Sequence, residues 1–425
     1  MFKQYWKQAI VSLRENPLTS FLAILGTALS IAMLLVLIFI YQIRTAPYAP
    51  VSNRNNLLYV TFIEGREIDS NGIWKEGLSS KVVREVFYRM EAPIAVSAAT
   101  SSPENRYTTV PGIKRSRESA VRLVDASFWK IFDVQFVSGK PFTEEMFQSA
   151  IPVAVIDEQI ARELYGTIEV IGQTIQFDYI DYTICGVICP VSRAANEVYS
   201  EAWIPYSTDK DIMENYFGAE GICGELEVNL LIEPSTNIRT VKEEANRLIE
   251  AFNTGQSQWR ATIIDQPVTG FKRTFYNSFD GKPSTRFKNL LILSLLFFFL
   301  PVLNLLGITL SHIRKRRPEI GLRKAFGATT SNIIVQIFFE NFITTMIGAG
   351  IGMLLSFLFF FVAKDGILER TDIVIQPEML IQPVLFISAI LISLLLNTLS
   401  AGIPAWRITR IPVADSLNEN AHSNK

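Results

Sequence analysis

Residues 20–43 read SFLAILGTALSIAMLLVLIFIYQI, a run of 24 residues without one charged side chain. A bilayer core about 30 Å thick is crossed by roughly 20 helical residues, so this run is long enough to span it. Lys3, Lys7 and Arg14 precede it as basic residues precede a signal peptide. Signal-peptide cores run only about 7 to 15 residues, however, so a retained anchor is expected. Three comparable runs follow, at 289–310, 337–363 and 383–403. The pattern predicts four transmembrane helices, 20–43, 289–310, 337–363 and 383–403.

Charge orients them. Arg314, Lys315, Arg316, Arg317, Arg323 and Lys324 crowd the segment 311–336, and Arg407 and Arg410 follow the fourth run, whereas 364–382 carries four acids and two bases. Positive residues mark the cytoplasmic side. The amphipathic N-terminus 1–19, the loop 311–336 and the tail 404–425 are therefore expected in the cytoplasm, with the short loop 364–382 and the long segment 44–288 outside. Between residues 45 and 288 stand 32 Asp and Glu against 25 Lys and Arg, so a net charge of −1 hides an acidic outside and a basic inside. An acidic outer domain argues against nucleic acid as a partner. The basic rim matches anionic lipid headgroups.

The outer segment mixes periods. NLLYVTFIEG, PIAVSAAT, GELEVNLLIE, WRATIID, IPVAVID, QTIQF and YTICGVI read as strands, and SSKVVREVFYRM, NIRTVKEEANRLIEAFN and EQIARELYG as helices, the last stopped by Gly166. The expected fold is thus a multi-pass α-helical membrane protein with an α+β extracytoplasmic domain inserted between helices 1 and 2. Cys185 and Cys189 lie about 13 Å apart along one strand and cannot bridge while extended. Cys223 is left either to pair with one of them or to stay free.

Enzyme chemistry has little to work with. The chain's two histidines are His312 and His422, neither in the outer domain, which excludes Ser-His-Asp or Cys-His catalysis and histidine-bearing zinc sites there. Neighbouring acids such as Glu144 and Glu145 point apart on a helix and read as solvated surface. No catalytic residue, metal site or cofactor is expected.

The stretch RPEIGLRKAFGATT (Arg317–Thr330) reads as a small self-capped helix. Pro318 suits a first helical position, Glu319 meets the helix dipole in the first turn, and Arg323 stands four residues beyond it in the favourable order. Gly327 terminates, and Thr329 or Thr330 caps the next helix. Leu322 and Phe326 make an apolar spot among Arg316, Arg323 and Lys324. Such a helix either lies on headgroups or docks a cytoplasmic partner. Inside the membrane runs, Asn304 and Asn397 are expected to bond across helix interfaces, and Gly348, Gly350 and Gly352 to permit close helix approach.

Three stretches carry a resemblance. RRPEIGLRKAFGATTSNI (Arg316–Ile333) resembles the signature after the second membrane helix of MacB/FtsX-like ABC transporter permeases, with six consecutive identities in EIGLRK. PAWRITRIPVADSL (Pro404–Leu417) is similar to the family's ending and NPLTSFLAILGTALSIA (Asn16–Ala32) to its first helix. Within 121–205, Phe132, Gly139, Lys140, Phe142, Ala161, Gly166, Gly172, Gly186 and Pro205 match the MacB-like periplasmic core, with Lys140 in place of the usual Arg.

The resemblance implies a mechanotransmission permease of the bacterial inner membrane. Pro318, Glu319, Gly321, Leu322, Arg323, Lys324, Phe326 and Gly327 would form its coupling helix, and Asn304, Gly348, Gly352 and Asn397 its helix packing. No GxxxxGK[ST] loop is present, so ATP hydrolysis is expected from a separate cytoplasmic ABC ATPase of the MacB or LolD kind. A homo- or heterodimer of permeases in the lipid bilayer, served by a periplasmic adaptor, is implied for MacB-like export. The alternatives are an FtsX-like transmitter that activates a cell-wall hydrolase and a lipoprotein-release permease.

Overall fold

The computed structural model describes residues 11–275, except 12, 16, 46, 48, 70–71, 113–114, 194 and 215–220, together with 329–368 and scattered positions in 285–296, 322–326 and 386–395. Two compact units divide the chain: Ile43–Phe287 with Leu368–Val374, and Met1–Gln42 with Lys288–Ile367 and Ile375–Lys425.

In the larger unit, six strands pair in a closed ring. β5 (Glu104–Thr109) lies antiparallel to β6 (Ser116–Val124) and to β9 (Thr174–Phe177). From β9 the ring continues to β10 (Ile180–Ile188) and then, in parallel, to β8 (Val153–Asp157). β11 (Ala202–Pro205) closes it, antiparallel to β8 and parallel to β6. Every residue of β8 and β11 is buried, as expected of strands covered on both faces. β9 and β10 are joined at Asp178 and Tyr179, whose φ of 51° and 67° fit the tight hairpin that DYID suggests. Helix α5 (Glu158–Tyr165) starts where Asp157 accepts the Ile160 N–H at 2.8 Å and ends at Gly166, which takes φ 75°.

The resemblance's paired glycines have a steric reason. β7 (Phe136–Gly139) sets Gly139 opposite Gly186 of β10. A Cβ on Gly186 would come within 2.7 Å of the Phe136 ring and 2.9 Å of the Lys140 carbonyl.

The second lobe of this unit is α+β. β13 (Leu226–Leu231) runs between β4 (Ala95–Thr100) and β1 (Leu57–Val60), while β2 (Ile63–Glu67) runs between β3 (Ile73–Leu78) and β14 (Trp259–Thr262). Helix α7 (Ile238–Asn253) buries Val241, Ala245, Ile249 and Phe252, one face at helical spacing. One expected strand is corrected: NLLYVTFIEG breaks into β1 and β2 at Thr61 and Phe62. Buried Gln266 replaces the ladder there, accepting the Thr61 N–H at 2.7 Å and donating to the Phe62 carbonyl at 2.7 Å. Cys185 and Cys189 are free thiols, and burial pushes Cys185 up to about 12.

In the smaller unit, α1 (Pro17–Thr45) and α9 (Thr330–Leu368) contain the stretches Ser20–Phe39 and Ile334–Val362, both long and apolar enough to cross a membrane. Most of the expected helices 289–310 and 383–403 lies outside the described residues. Thr329 caps α9 by accepting the Asn332 N–H on its hydroxyl at 3.4 Å. Hydroxyls within both helices bond back to backbone carbonyls, Thr27 to Ala23 at 2.8 Å and Thr345 to Asn341 at 2.8 Å, which satisfies them in an apolar setting. Phe39 of α1 packs against Phe357 and Phe360 of α9 and against Phe386 of the fourth apolar run, with ring centroids 5.8, 5.8 and 6.1 Å apart.

Candidate functional site

Of the residues expected to form a coupling helix, Leu322 and Phe326 are described. The Phe326 N–H donates to the Leu322 carbonyl at 3.1 Å, so the two side chains stand one helical turn apart on one face, 53% and 84% exposed. Pro318, Glu319, Gly321, Arg323, Lys324 and Gly327 lie outside the described residues, as do Asn304 and Asn397.

Gly348 and Gly352 sit against α1. A Cβ at 348 would stand 2.9 Å from Thr27 Cβ and 3.2 Å from the Ile24 carbonyl; one at 352 would stand 2.6 Å from the Ala28 carbonyl. Gly350 departs from expectation: among the described residues nothing lies within 4 Å of a Cβ built there. The reason is rotation, since residues 348 and 352 share a helix face that 350 does not.

Four charged residues meet in the interior of the larger unit. Arg54 follows α1 in the sequence, and Arg273 lies on α8 (Gly270–Phe275), ahead of the second apolar run. Arg273 Nη2 is 2.6 Å from Glu227 Oε2, and its Nη1 3.8 Å from Glu197 Oε1. Arg54 Nη2 reaches Glu197 Oε2 at 3.4 Å. Beneath them the Tyr59 ring lies 4.9 Å from the Arg273 guanidinium carbon. Burial opposes the Arg273 charge, but Glu227 and then Glu197 hold its pKa above the ordinary guanidinium value. Burial and the nearby Glu197 push the Tyr59 phenol up, so it stays neutral.

Glu197 occupies the loop between β10 and β11, and that loop is pinned. Arg122, buried on β6, donates to the carbonyls of Thr100 at 2.8 Å, Asn196 at 3.0 Å and Tyr199 at 3.2 Å, and burial pulls its pKa down to about 10. Trp203 Nε1 donates to the Val198 carbonyl at 3.1 Å. Sequence reasoning singled out none of these charges. A signal existed at two of them, because Arg122 in SAVRLVD and Glu227 in LEVNLL interrupt strand-like apolar runs; Arg54, Glu197 and Arg273 carry no such mark. Among the described residues no group of three or more His, Cys, Asp or Glu is placed to hold a metal ion.

The family model described as "MacB-like periplasmic core domain" matches residues 20–248, and the one described as "FtsX-like permease C-terminal" matches 291–413. An uncharacterized ABC transporter permease of Bacillus subtilis, YknZ, is 20% identical over 358 residues, which cover 82% of this chain and 83% of that protein. The macrolide export ATP-binding/permease protein MacB of Burkholderia lata is 25% identical over 337 residues, 76% of this chain; the chain spans 46% of that protein's length. Among solved structures, the periplasmic region of MacB from Actinobacillus actinomycetemcomitans aligns at 15% identity with a TM-score of 0.35, covering 50% of this chain and 91% of that one.

Proposed function

Given that the chain belongs to the MacB/FtsX-like family of ABC transporter permeases, we propose that it is the non-catalytic membrane subunit of a bacterial exporter. It converts ATP hydrolysis by a separate cytoplasmic ATPase into movement of its extracytoplasmic domain and so drives a substrate outwards. Helices 20–43, 289–310, 337–363 and 383–403 cross the inner membrane, both termini and 311–336 lie inside, and 44–288 stands outside. Two permeases and two ATPases make the working unit, with a periplasmic adaptor as a further partner.

The observation that carries this reading is the exposed pair Leu322 and Phe326, one turn apart within EIGLRKAFG. Seating them in a protein groove would stabilise the complex by roughly 1.5 to 3 kcal/mol per side chain. The basic residues beside them in sequence would orient it. The test is to reconstitute the permease in nanodiscs with the ATP-binding protein encoded nearest to it. A stable complex whose hydrolysis rate differs severalfold from that of the ATPase alone is expected. No binding and an unchanged rate would sink the reading.

A further inference from the structure

Taking the coupling role above as its setting, we propose that Glu197 is the shared counter-ion that ties both membrane connections of the outer domain to one point. Its two carboxylate oxygens are divided between them: Oε2 faces Arg54 at 3.4 Å, on the connection from α1, and Oε1 faces Arg273 at 3.8 Å, on the connection towards the second apolar run. The side chains of Arg54, Glu197 and Arg273 are 8%, 4% and 11% exposed, so solvent and salt do little to screen the attraction.

The carboxylate is anchored in turn. Arg122 holds the carbonyls on either side of it, those of Asn196 and Tyr199, and the Ser200 hydroxyl donates to the Ala120 carbonyl at 2.8 Å. This loop joins two strands of the closed ring, so Glu197 adds a link from both connections to the ring, beside the pairing of Leu58 and Tyr59 with Thr269 and Val268 and the Asp133 N–H bond to the Pro50 carbonyl at 2.9 Å. Glu227 differs. It binds Arg273 at 2.6 Å from β13. Removing Glu197 takes the shared anion from Arg54 and Arg273 and loosens both connections, while Arg273 keeps Glu227; removing Glu227 loosens the second connection and leaves the shared anion in place. Glu197 is thus a positioning residue for coupling rather than a general brace of the core.

The test uses the full chain in nanodiscs and reads amide hydrogen exchange. Glu197→Gln should raise exchange about tenfold in both 51–56 and 268–275, and Glu227→Gln in 268–275 alone, with the amides of β8 and β10 unchanged in both. A rise in only one segment for Glu197→Gln, or in both for Glu227→Gln, overturns the proposal. If Glu197→Gln also opens β8 and β10, Arg54→Gln decides: a rise confined to 51–56 supports the shared tie, and a rise in 268–275 overturns it. None of these readouts needs the ATPase, so their failure leaves the permease reading intact. Once the ATPase is added, full stimulation by a Glu197→Gln permease with both connections loosened overturns the coupling role of the tie.

Discussion

Tyr88 donates its hydroxyl to Oδ2 of Asp125 at 2.6 Å, and this bond joins the α+β lobe of the outer unit to the ring. Asp125 also accepts the Ser97 hydroxyl at 2.7 Å, the Ala98 N–H at 2.8 Å and the Phe128 N–H at 2.9 Å. Burial nevertheless pushes its carboxyl from 3.8 up to about 6, against those four donors. A folded pKa above the unfolded one gives a contribution fully present below the unfolded value and lost as pH rises through the folded one. Between pH 4 and 6 the wild-type domain should therefore lose stability, on the order of 3 kcal/mol at most, relative to an Asp125→Asn variant that does not titrate there. Urea unfolding followed by tryptophan fluorescence checks this. A difference between the two proteins that stays constant from pH 4 to 7 would show an ordinary carboxyl.

Helix packing in the smaller unit gives a second expectation, with its control on the same helix. Gly352→Ala would force a methyl to 2.6 Å from the Ala28 carbonyl, a backbone atom that cannot swing aside. Overpacking of this kind costs about 1 to 3 kcal/mol. Gly350→Ala meets nothing within 4 Å among the described residues and gains helix propensity. Melting in detergent should fall for the first variant and hold or rise for the second. Equal melting temperatures would mean that α1 and α9 are not in this contact.

How much of this could be read from the sequence follows from which forces are local. Apolar runs, apolar strands such as β4, β8 and β10, and the caps Asp157 and Gly166 announce themselves within a few residues. β5 (ENRYTT) is polar and β3 (IWKEGL) carries Lys75 and Glu76, so neither shows a hydrophobic period. Closure of the ring depends on β11 pairing with β6, some eighty residues earlier, and no local pattern encodes that partner. The ion cluster has the same character: Arg54, Glu197 and Arg273 meet only after the chain has folded.

Topology can be checked without any partner. With the three native cysteines removed, single cysteines at Ser12 and Ser416 should resist an impermeant thiol reagent in intact cells, and one at Ser70 should react. The expectation rests on four crossings and the positive-inside rule. Labelling at Ser416 but not at Ser12 would require an odd number of crossings.

The coupling stretch separates a docked helix from one that rests on lipid. Both readings use the basic rim and the apolar spot, but only docking makes ATP hydrolysis depend on the spot and on the ion pair within the helix. Leu322→Ser with Phe326→Ser removes two side chains worth roughly 1.5 to 3 kcal/mol each in a protein groove and leaves every charge in place. Glu319→Arg puts a like charge beside Arg316 and Arg323 and opposes the helix dipole at its start. Other contacts can keep a complex assembled, so stimulated ATP hydrolysis is the sharper measure than co-purification. Both variants should insert and fold as wild type does yet lose at least about tenfold in stimulation, the loss expected when about 1.4 kcal/mol of coupling is removed. Wild-type stimulation by both would leave a helix lying on headgroups, with the ATPase engaged elsewhere.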